Sequence, residues 1–265
     1  MPLQPGAPRI LALFGVVSVQ AGAEARLKAP GYHSGLPAAL IAMSNPTASR
    51  STSPDSSVRI CLVRHGETDW NVERRLQGHK DIPLNATGVA QARALAEALA
   101  NTRFDAIYSS DLARAQDTAE EVAQRLGVAV KTLPAVRERN FGVFQGLTRR
   151  EAEQDFPEMQ ARVARREPDF IPPEGESLRQ CFIRVAAALN ALADKHAGES
   201  ILLVAHGGVL DAARRYVTGM PLDVPRDFEL GNAALNWLAR IDGAWSLEGW
   251  NDQSHLDGSR DELPV

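Results

Sequence analysis

The alternation of strand-length apolar segments with helical segments restricts the fold of this chain more than any other feature. The segment SVRICLVRH, residues 57–65, is mostly apolar and has no helical period, which predicts a strand buried on both faces. Three further segments are predicted as strands, FDAIYSS (104–110), VAVKTL (128–133) and SILLVAHGG (200–208), and the last of them is also predicted to be buried. Strands of this kind, with long segments between them, are typical of parallel sheets with helical crossovers.

Helical periodicity occurs in four segments, which are residues 85–101, 111–127, 177–198 and 209–219. The predicted N-caps are Thr87, Asp111 and Ser177, and the predicted stops are Gly127 and Gly198. Two strand patterns near the C-terminus, residues 233–242 and 244–251, are separated by turn residues and predict a hairpin. We therefore expect a three-layer α/β sandwich whose sheet is mostly parallel with an antiparallel edge.

The first 57 residues have a different character, being rich in Ala, Pro, Gly and Ser. Residues 44–57 show no apolar periodicity, so we expect a disordered extension or a start assigned too early, with Met43 as the true start. Residues 9–25 resemble a weak secretory signal, which leaves export as an alternative. The prediction is a cytoplasmic protein with one globular domain over residues 58–265.

The charge and composition of the chain limit the classes of partner that it can bind. The net charge of −4 and a pI near 5.9 exclude an overall basic surface for nucleic acid, so any anion site must be local. No apolar run approaches the roughly 20 residues of a membrane span, and no membrane partner is expected. Cys61 and Cys181 lack a C-x-x-C spacing, which argues against a zinc site or a disulfide. A homodimer is left open, because an exposed sheet edge can pair with a second copy.

Polar residues of an unusual kind follow four of the predicted strands, and ligands of open α/β sheets bind at the carboxyl ends of the strands. These groups are Arg64-His65-Gly66, Ser109-Ser110 with Arg114 beyond, Arg137-Glu138-Arg139-Asn140, and His206-Gly207-Gly208. Taken singly, each has an ordinary explanation as a solvated side chain or a turn. Together they predict a cationic pocket for a phosphate group, which arginine binds with its planar fork. Carboxylates that could hold a metal are missing beside the histidines, so no metal or other cofactor is expected.

Four motifs carry a family resemblance: LVRHGETDWN (62–71), YSSDLARAQDT (108–118), VRERNFG (136–142) and VAHGG (204–208). In this order and spacing they resemble the histidine phosphatase superfamily, the phosphoglycerate mutase-like proteins. The resemblance extends over nearly all of the chain from Val58 to about Leu256. It implies a phosphoglycerate mutase-like fold and phosphoryl transfer through a phosphohistidine.

The resemblance also implies roles for individual residues. His65 would be the nucleophile, and Glu138 would be the general acid and then the base. The residues implied to bind the phosphoryl oxygens or to line the substrate mouth are Arg64, Arg114, His206, Asn71, Gln77, Gly78 and Gly207. A difficulty is that Arg137 and Arg139 would hold Glu138 ionised unless they point elsewhere. His206 is the alternative acid.

The choice between phosphatase and mutase depends on the residues above the pocket. Gln145-Gly146-Leu147 resembles the mutase pattern. The segment between Leu147 and residues 174–177 is shorter than the insertion of the glycolytic mutases, and Gly208 stands where those mutases usually have Asn. The prediction is a metal-independent phosphomonoester hydrolase that acts on a small phosphorylated metabolite. A 2,3-bisphosphoglycerate-dependent mutase and an inactive phospho-ligand binding protein are the alternatives.

Overall fold

The computed structural model describes residues 57–259, so the predictions for the N-terminal extension lie outside the described residues. In this range the chain forms a six-stranded sheet with helices on both faces. The strands are β1 (Val58–Arg64), β2 (Ala106–Ser109), β3 (Val130–Thr132), β4 (Ser200–Ala205), β5 (Leu235–Ile241) and β6 (Ala244–Asp252). The helices are α1 (Asp69–Val72), α2 (Ala86–Ala98), α3 (Ala113–Leu126), α4 (Arg149–Asp155), α5 (Pro157–Ala164), α6 (Leu178–Lys195) and α7 (Gly207–Thr218).

The strand order is β3-β2-β4-β1-β5-β6. The first four strands in this order run parallel to one another, and β5 and β6 continue the sheet as an antiparallel hairpin. In the centre, β1 pairs with β4 in a register that places Arg64 opposite Ala205. The predicted three-layer architecture with an antiparallel edge is confirmed.

Strand β1 shows why the sheet lies between two helical layers. Ile60 and Leu62 belong to the hydrophobic cluster that includes residues of α6 and α7, whereas Cys61 and Val63 belong to the cluster that includes residues of α2 and α3. All four side chains are fully buried, as expected for a central strand covered on both faces. Among the described residues, no helix is both long enough and apolar enough to cross a membrane.

The structure corrects two of the three predicted helix caps. Helix α2 begins at Ala86 because Asn85, not Thr87, accepts a hydrogen bond from the Gly88 amide. Helix α3 has Leu112 at its N-cap without a side-chain hydrogen bond, because Asp111 instead binds Arg137. At α2 the cap is a neighbouring residue of the predicted one, whereas at α3 a tertiary ion pair occupies the predicted capping side chain.

The third cap and one stop are confirmed. Ser177 forms a capping box with Gln180 at the start of α6. Gly127 ends α3 in the left-handed conformation, with a φ of 68°. The last helical residue of α6 is Lys195, so this helix ends earlier than the predicted stop at Gly198.

Candidate active site

The parallel pairing brings three of the predicted polar groups to one edge of the sheet. His65 follows β1 directly, and its backbone N–H donates to the carbonyl oxygen of Ala205 at the end of β4 at 3.0 Å. The backbone N–H of Ser110, after β2, donates to Val204 in the same strand at 3.2 Å. These contacts continue the sheet ladder by one residue, so backbone hydrogen bonds also fix the residues that follow the strands.

His65 and His206 lie next to each other, with ring centroids 5.2 Å apart, and both are almost completely buried. The Nδ1 atom of His65 is 2.7 Å from the carbonyl oxygen of Gly66. A carbonyl oxygen only accepts, so this contact assigns the proton to Nδ1 and leaves a lone pair on Nε2. His65 is therefore held in the tautomer that a nucleophilic imidazole requires.

Burial holds the pKa of His65 well below its ordinary value of 6.5, and the charges of Arg64 and Arg114 lower this pKa further. Burial and the charge of Arg114 lower the pKa of His206 in the same way. Both imidazoles are therefore neutral at neutral pH. For His65 this means that the free Nε2 lone pair is present in essentially every molecule.

Two arginines lie beside His65: Arg114 is buried and Arg64 is half-buried. Arg114 is 0% exposed and donates from its two Nη atoms to the carbonyl oxygens of Lys80 and Gly78, each at 2.9 Å. Arg64 donates from Nη1 to the carbonyl oxygen of Leu230 at 2.7 Å. In both guanidinium groups the Nε atom is buried and has no hydrogen-bond partner.

Buried, incompletely paired cations are costly unless an anion compensates them. Burial lowers the pKa of Arg114 to about 10 and lowers that of Arg64, and the charge of Glu138 opposes both shifts. Because the guanidinium group of arginine stays protonated in proteins, both groups are charged at neutral pH. The N–H groups without partners are available for an oxyanion, which arginine binds well.

A cavity of about 130 Å³ adjoins His65, Arg64 and Arg114, whereas His206 is not among its lining residues. It is lined by Arg64, His65, Asn71, Arg75, Leu76, Gln77, Arg114, Glu138 and Phe141. This volume exceeds the ~30 Å³ that one water occupies in the liquid several-fold. It therefore offers room for a group of phosphate size beside the imidazole.

Asn71 and Gln77 form the amide side of this cavity, and both are tied to Thr68. The Oδ1 atom of Asn71 accepts from the Thr68 backbone N–H at 3.1 Å, as part of the cap of α1. The Nε2 atom of Gln77 donates to the Thr68 hydroxyl at 2.8 Å, and the Oε1 atom of Gln77 is buried without a partner. The cap thus fixes Asn71 by its oxygen, which leaves its amide nitrogen as the group that it can offer to a ligand.

The two glycines of the predicted site lie outside this cavity. The carbonyl oxygen of Gly78 accepts a hydrogen bond from the guanidinium group of Arg114. Gly78 adopts a φ of 55°. Gly207 is the first residue of α7 and lines a larger cavity that adjoins the first. Gly78 thus helps to position the guanidinium group of Arg114, whereas Gly207 forms part of the wall of the larger cavity.

Glu138 is 9% exposed, and its Oε1 atom accepts from the backbone N–H groups of Arg139 at 2.7 Å and Gly208 at 2.9 Å. The neighbouring guanidinium groups point elsewhere. Arg137 binds Asp111, and the Nε atom of Arg139 donates to the carbonyl oxygen of Glu176 at 3.0 Å. Neither neighbouring guanidinium group therefore forms an ion pair with Glu138.

Several supporting residues were given no individual role from the sequence, although Ser110 belongs to one of the polar groups that follow the strands. Ser110 lies 2.6 Å from Nε2 of His206, through its hydroxyl. Asn232 donates to the carbonyl oxygen of His65 at 2.8 Å, and Thr118 accepts from the Gly66 backbone N–H at 3.0 Å. His79 reaches the carbonyl oxygen of Glu138 at 2.9 Å through Nε2. These partners are far apart along the chain, and only the fold brings them together.

Comparison with known proteins identifies the family. Residues 60–253 match the model of the histidine phosphatase superfamily (branch 1). Phosphoglycerate mutase-like protein 4 of Arabidopsis thaliana is 40% identical over 202 residues, which are 75% of this chain and 86% of that protein. The metal-independent phosphoserine phosphatase of Arabidopsis thaliana is 40% identical over 200 residues, which are 74% of this chain and 82% of that protein.

Among solved structures, phosphoserine phosphatase from Entamoeba histolytica, in complex with 3-phosphoglyceric acid, has a TM-score of 0.68 and 28% identity. The likeness covers 75% of this chain and 99% of that chain. These matches confirm the resemblance indicated by the four motifs. The chain therefore belongs to branch 1 of the histidine phosphatase superfamily.

Proposed function

We propose that this protein is a metal-independent phosphatase that hydrolyses phosphomonoesters of small metabolites through a phosphohistidine on His65. The observation that carries the proposal is the cavity in which a neutral His65, with a free Nε2 lone pair, meets the unpaired N–H groups of Arg64 and Arg114. This combination provides a nucleophile and the charge that a transferring phosphoryl group requires.

In the first step, Nε2 of His65 attacks phosphorus and the bond from phosphorus to the ester oxygen breaks. Arg64, Arg114 and His206 hold the equatorial oxygens, and Asn71 and Gln77 contribute hydrogen bonds. Glu138 donates a proton to the leaving oxygen, so that the product leaves as a neutral alcohol.

In the second step, Glu138 accepts a proton from a water molecule that attacks the phosphohistidine. The bond between phosphorus and Nε2 breaks, and inorganic phosphate leaves. His65 regains its lone pair and Glu138 has regained its proton. One molecule of water is consumed for each ester that is hydrolysed.

Two observations favour water over a second organic acceptor. The segment between Leu147 and Ser177 is short, and it forms the small helices α4 and α5. The similar phosphoserine phosphatases are hydrolases by name. The other relative named above is called mutase-like, and the mutase uses the same phosphohistidine, so the mutase stays the second candidate.

The test is hydrolysis of 4-nitrophenyl phosphate in excess EDTA by the wild type, His65→Ala and a surface control, Arg93→Ala. Arg93 lies on α2, and its side chain is 70% exposed. We expect activity in the wild type and the control, and loss of activity and of acid-labile bound phosphate in His65→Ala. Activity that requires added metal, or that survives in His65→Ala, contradicts the proposal.

Two further outcomes identify the alternatives. Phosphoryl transfer between phosphoglycerates that depends on added 2,3-bisphosphoglycerate identifies the mutase. Vanadate binding without turnover identifies a binding protein. A screen of small phosphate esters on the active wild type then ranks the substrates.

A further inference from the structure

A second, larger cavity of about 620 Å³ adjoins the site and shares Arg64 and Phe141 with it. Gly207 and Gly208, at the start of α7, form part of the wall between Glu138 and this cavity. A phosphate bound beside His65 therefore has its ester oxygen near an open space that can receive the rest of the molecule. Cavities of roughly 300–1,000 Å³ typically hold whole small ligands.

The walls of this cavity carry more positive than negative charge. Its arginines are Arg64, Arg139, Arg166 and Arg226, and its acids are Asp211 and Glu229. Asp211 already accepts from Arg166 at 2.8 Å and from Arg215 at 3.1 Å. Glu229 accepts from the side-chain amide of Asn251 at 3.0 Å. Neither acid neutralises Arg226.

Arg226 is exposed and forms no ion pair or side-chain hydrogen bond with any residue that the structure describes. It is nevertheless close enough to the reaction site for its charge to lower the pKa of Arg64. Burial lowers the pKa of Arg139, and the charge of Arg166 across the cavity lowers it further. An anion bound between these groups would relieve both repulsions.

Other parts of the walls are apolar. Phe141, Leu178, Phe228 and Leu230 contribute to them. Phe228 is held in place because the guanidinium group of Arg214 lies over its ring at 4.3 Å. The cavity thus combines carbon surface with an unpaired cation, which suits an organic group that ends in an oxyanion.

Building on the proposed phosphatase activity, we propose that this cavity binds the alcohol portion of the substrate, and that Arg226 selects substrates carrying a second anionic group remote from the phosphate that is removed. Arg226 is then a specificity-determining residue. The anionic group is a carboxylate or a second phosphate, since arginine binds both with the same donor geometry.

The test uses ω-carboxyalkyl phosphates of increasing chain length, each paired with its neutral ω-amide, and the corresponding ω-phosphono compounds. kcat/KM is measured for the wild type, Arg226→Gln and the control Arg103→Gln. Arg103 is 90% exposed and precedes β2, so it lies at the opposite edge of the sheet from the site. Both variants change the net charge equally.

We expect the wild type to prefer the anionic member of a pair by about ten-fold at the chain length that fits, which is the effect of one charge-assisted hydrogen bond. Arg226→Gln should lose this preference through KM and keep its kcat/KM for the neutral amide, whereas Arg103→Gln should keep the preference. The phosphono compounds show which oxyanion is preferred. No preference at any chain length in the wild type, or an unchanged preference in Arg226→Gln, overturns the proposal.

Failure of the phosphatase proposal is distinguishable from this outcome, because even the neutral amides would then show no His65-dependent hydrolysis. Binding still tests Arg226 in that case. Calorimetric titration with the non-hydrolysable ω-carboxyalkyl phosphonates should give a Kd that rises about ten-fold in Arg226→Gln for the same reason. An equal Kd in the wild type and Arg226→Gln overturns the assignment of Arg226.

Discussion

Replacement of Gly208 by alanine should displace Glu138, the proposed general acid, and leave the other residues of the site in place. A Cβ atom at this position would lie 2.3 Å from Oε1 and 3.3 Å from Cδ of Glu138. The Gly208 backbone N–H donates to the same carboxyl at 2.9 Å, so this close approach is what fixes Glu138. Because non-bonded heavy atoms prefer separations near 3.5–4.0 Å, Glu138 must move by roughly 1 Å or more.

A displacement of about 1 Å in a reacting group can cost about 10²-fold in rate. We therefore expect kcat/KM for an alkyl phosphate to fall by about 10²-fold in Gly208→Ala. The loss should be smaller for 4-nitrophenyl phosphate, because a good leaving group needs less proton donation. His65 is untouched, so the phosphoenzyme should still form with the aryl substrate.

The assay compares both substrates in the wild type, Gly208→Ala and Gly207→Ala. In Gly207→Ala the new Cβ would have its nearest neighbour, Nε of Arg64, at 3.7 Å, which is an ordinary contact. This variant should lose far less activity on the alkyl phosphate. Since alanine is favoured over glycine by roughly 0.5–1 kcal/mol inside a helix, the melting temperature of Gly208→Ala should not fall appreciably, which separates an effect on catalysis from unfolding.

Equal losses on both substrates would refute the role of Glu138 as the acid that Gly208 positions. Full activity of Gly208→Ala on the alkyl phosphate would refute the reasoning from geometry. We expect Gly208→Ala to be folded and active but slow. Its loss of kcat/KM should increase with the basicity of the leaving group.

Two further predictions concern the buried histidines. Because the folded-state pKa values of His65 and His206 lie well below 6.5, the unfolded chain binds more protons below that pH. The free energy of unfolding, measured by urea denaturation, should therefore fall as the pH drops below about 6.5, by up to ~1.4 kcal/mol per pH unit for each histidine. This dependence on pH should be weaker in His65→Asn. An identical dependence in the wild type and His65→Asn would contradict the shifted pKa of His65. Ser110→Ala removes the hydroxyl that lies 2.6 Å from His206 and positions it. Both kcat and the affinity for vanadate should therefore fall about ten-fold, and Ser110→Thr should retain more of each. Wild-type values of kcat and vanadate affinity in Ser110→Ala would exclude this positioning role.

The order of strands and helices could be predicted from the sequence because it depends on local periodicity. The apolar run of β1 and the helical spacing of α3 and α6 reflect faces that each element must bury, whatever its partner is. The placement of Arg64, His65 and His206 at one edge followed as well. Parallel strands present their carboxyl ends together, so residues that end such strands must meet.

The cap of α3 and the environment of Glu138 depended on the tertiary structure. Asp111 was equally suited to cap a helix or to pair with an arginine, and Arg137, distant along the chain, decided this. That same pairing turns Arg137 away from Glu138, which local sequence placed beside it. From the sequence alone, Gly208 was interpreted as a turn residue. In the folded structure its backbone N–H donates to the carboxyl group of Glu138.

The larger cavity with Arg226 could not be predicted from the sequence either. Its walls come from the loops around residues 139–141, from α6 and α7, and from the segment before β5. Local patterns report which face of an element is buried, because this is encoded within a few residues. They do not report which of several polar partners a side chain selects, since that choice depends on distances that exist only after the helices and the sheet have packed.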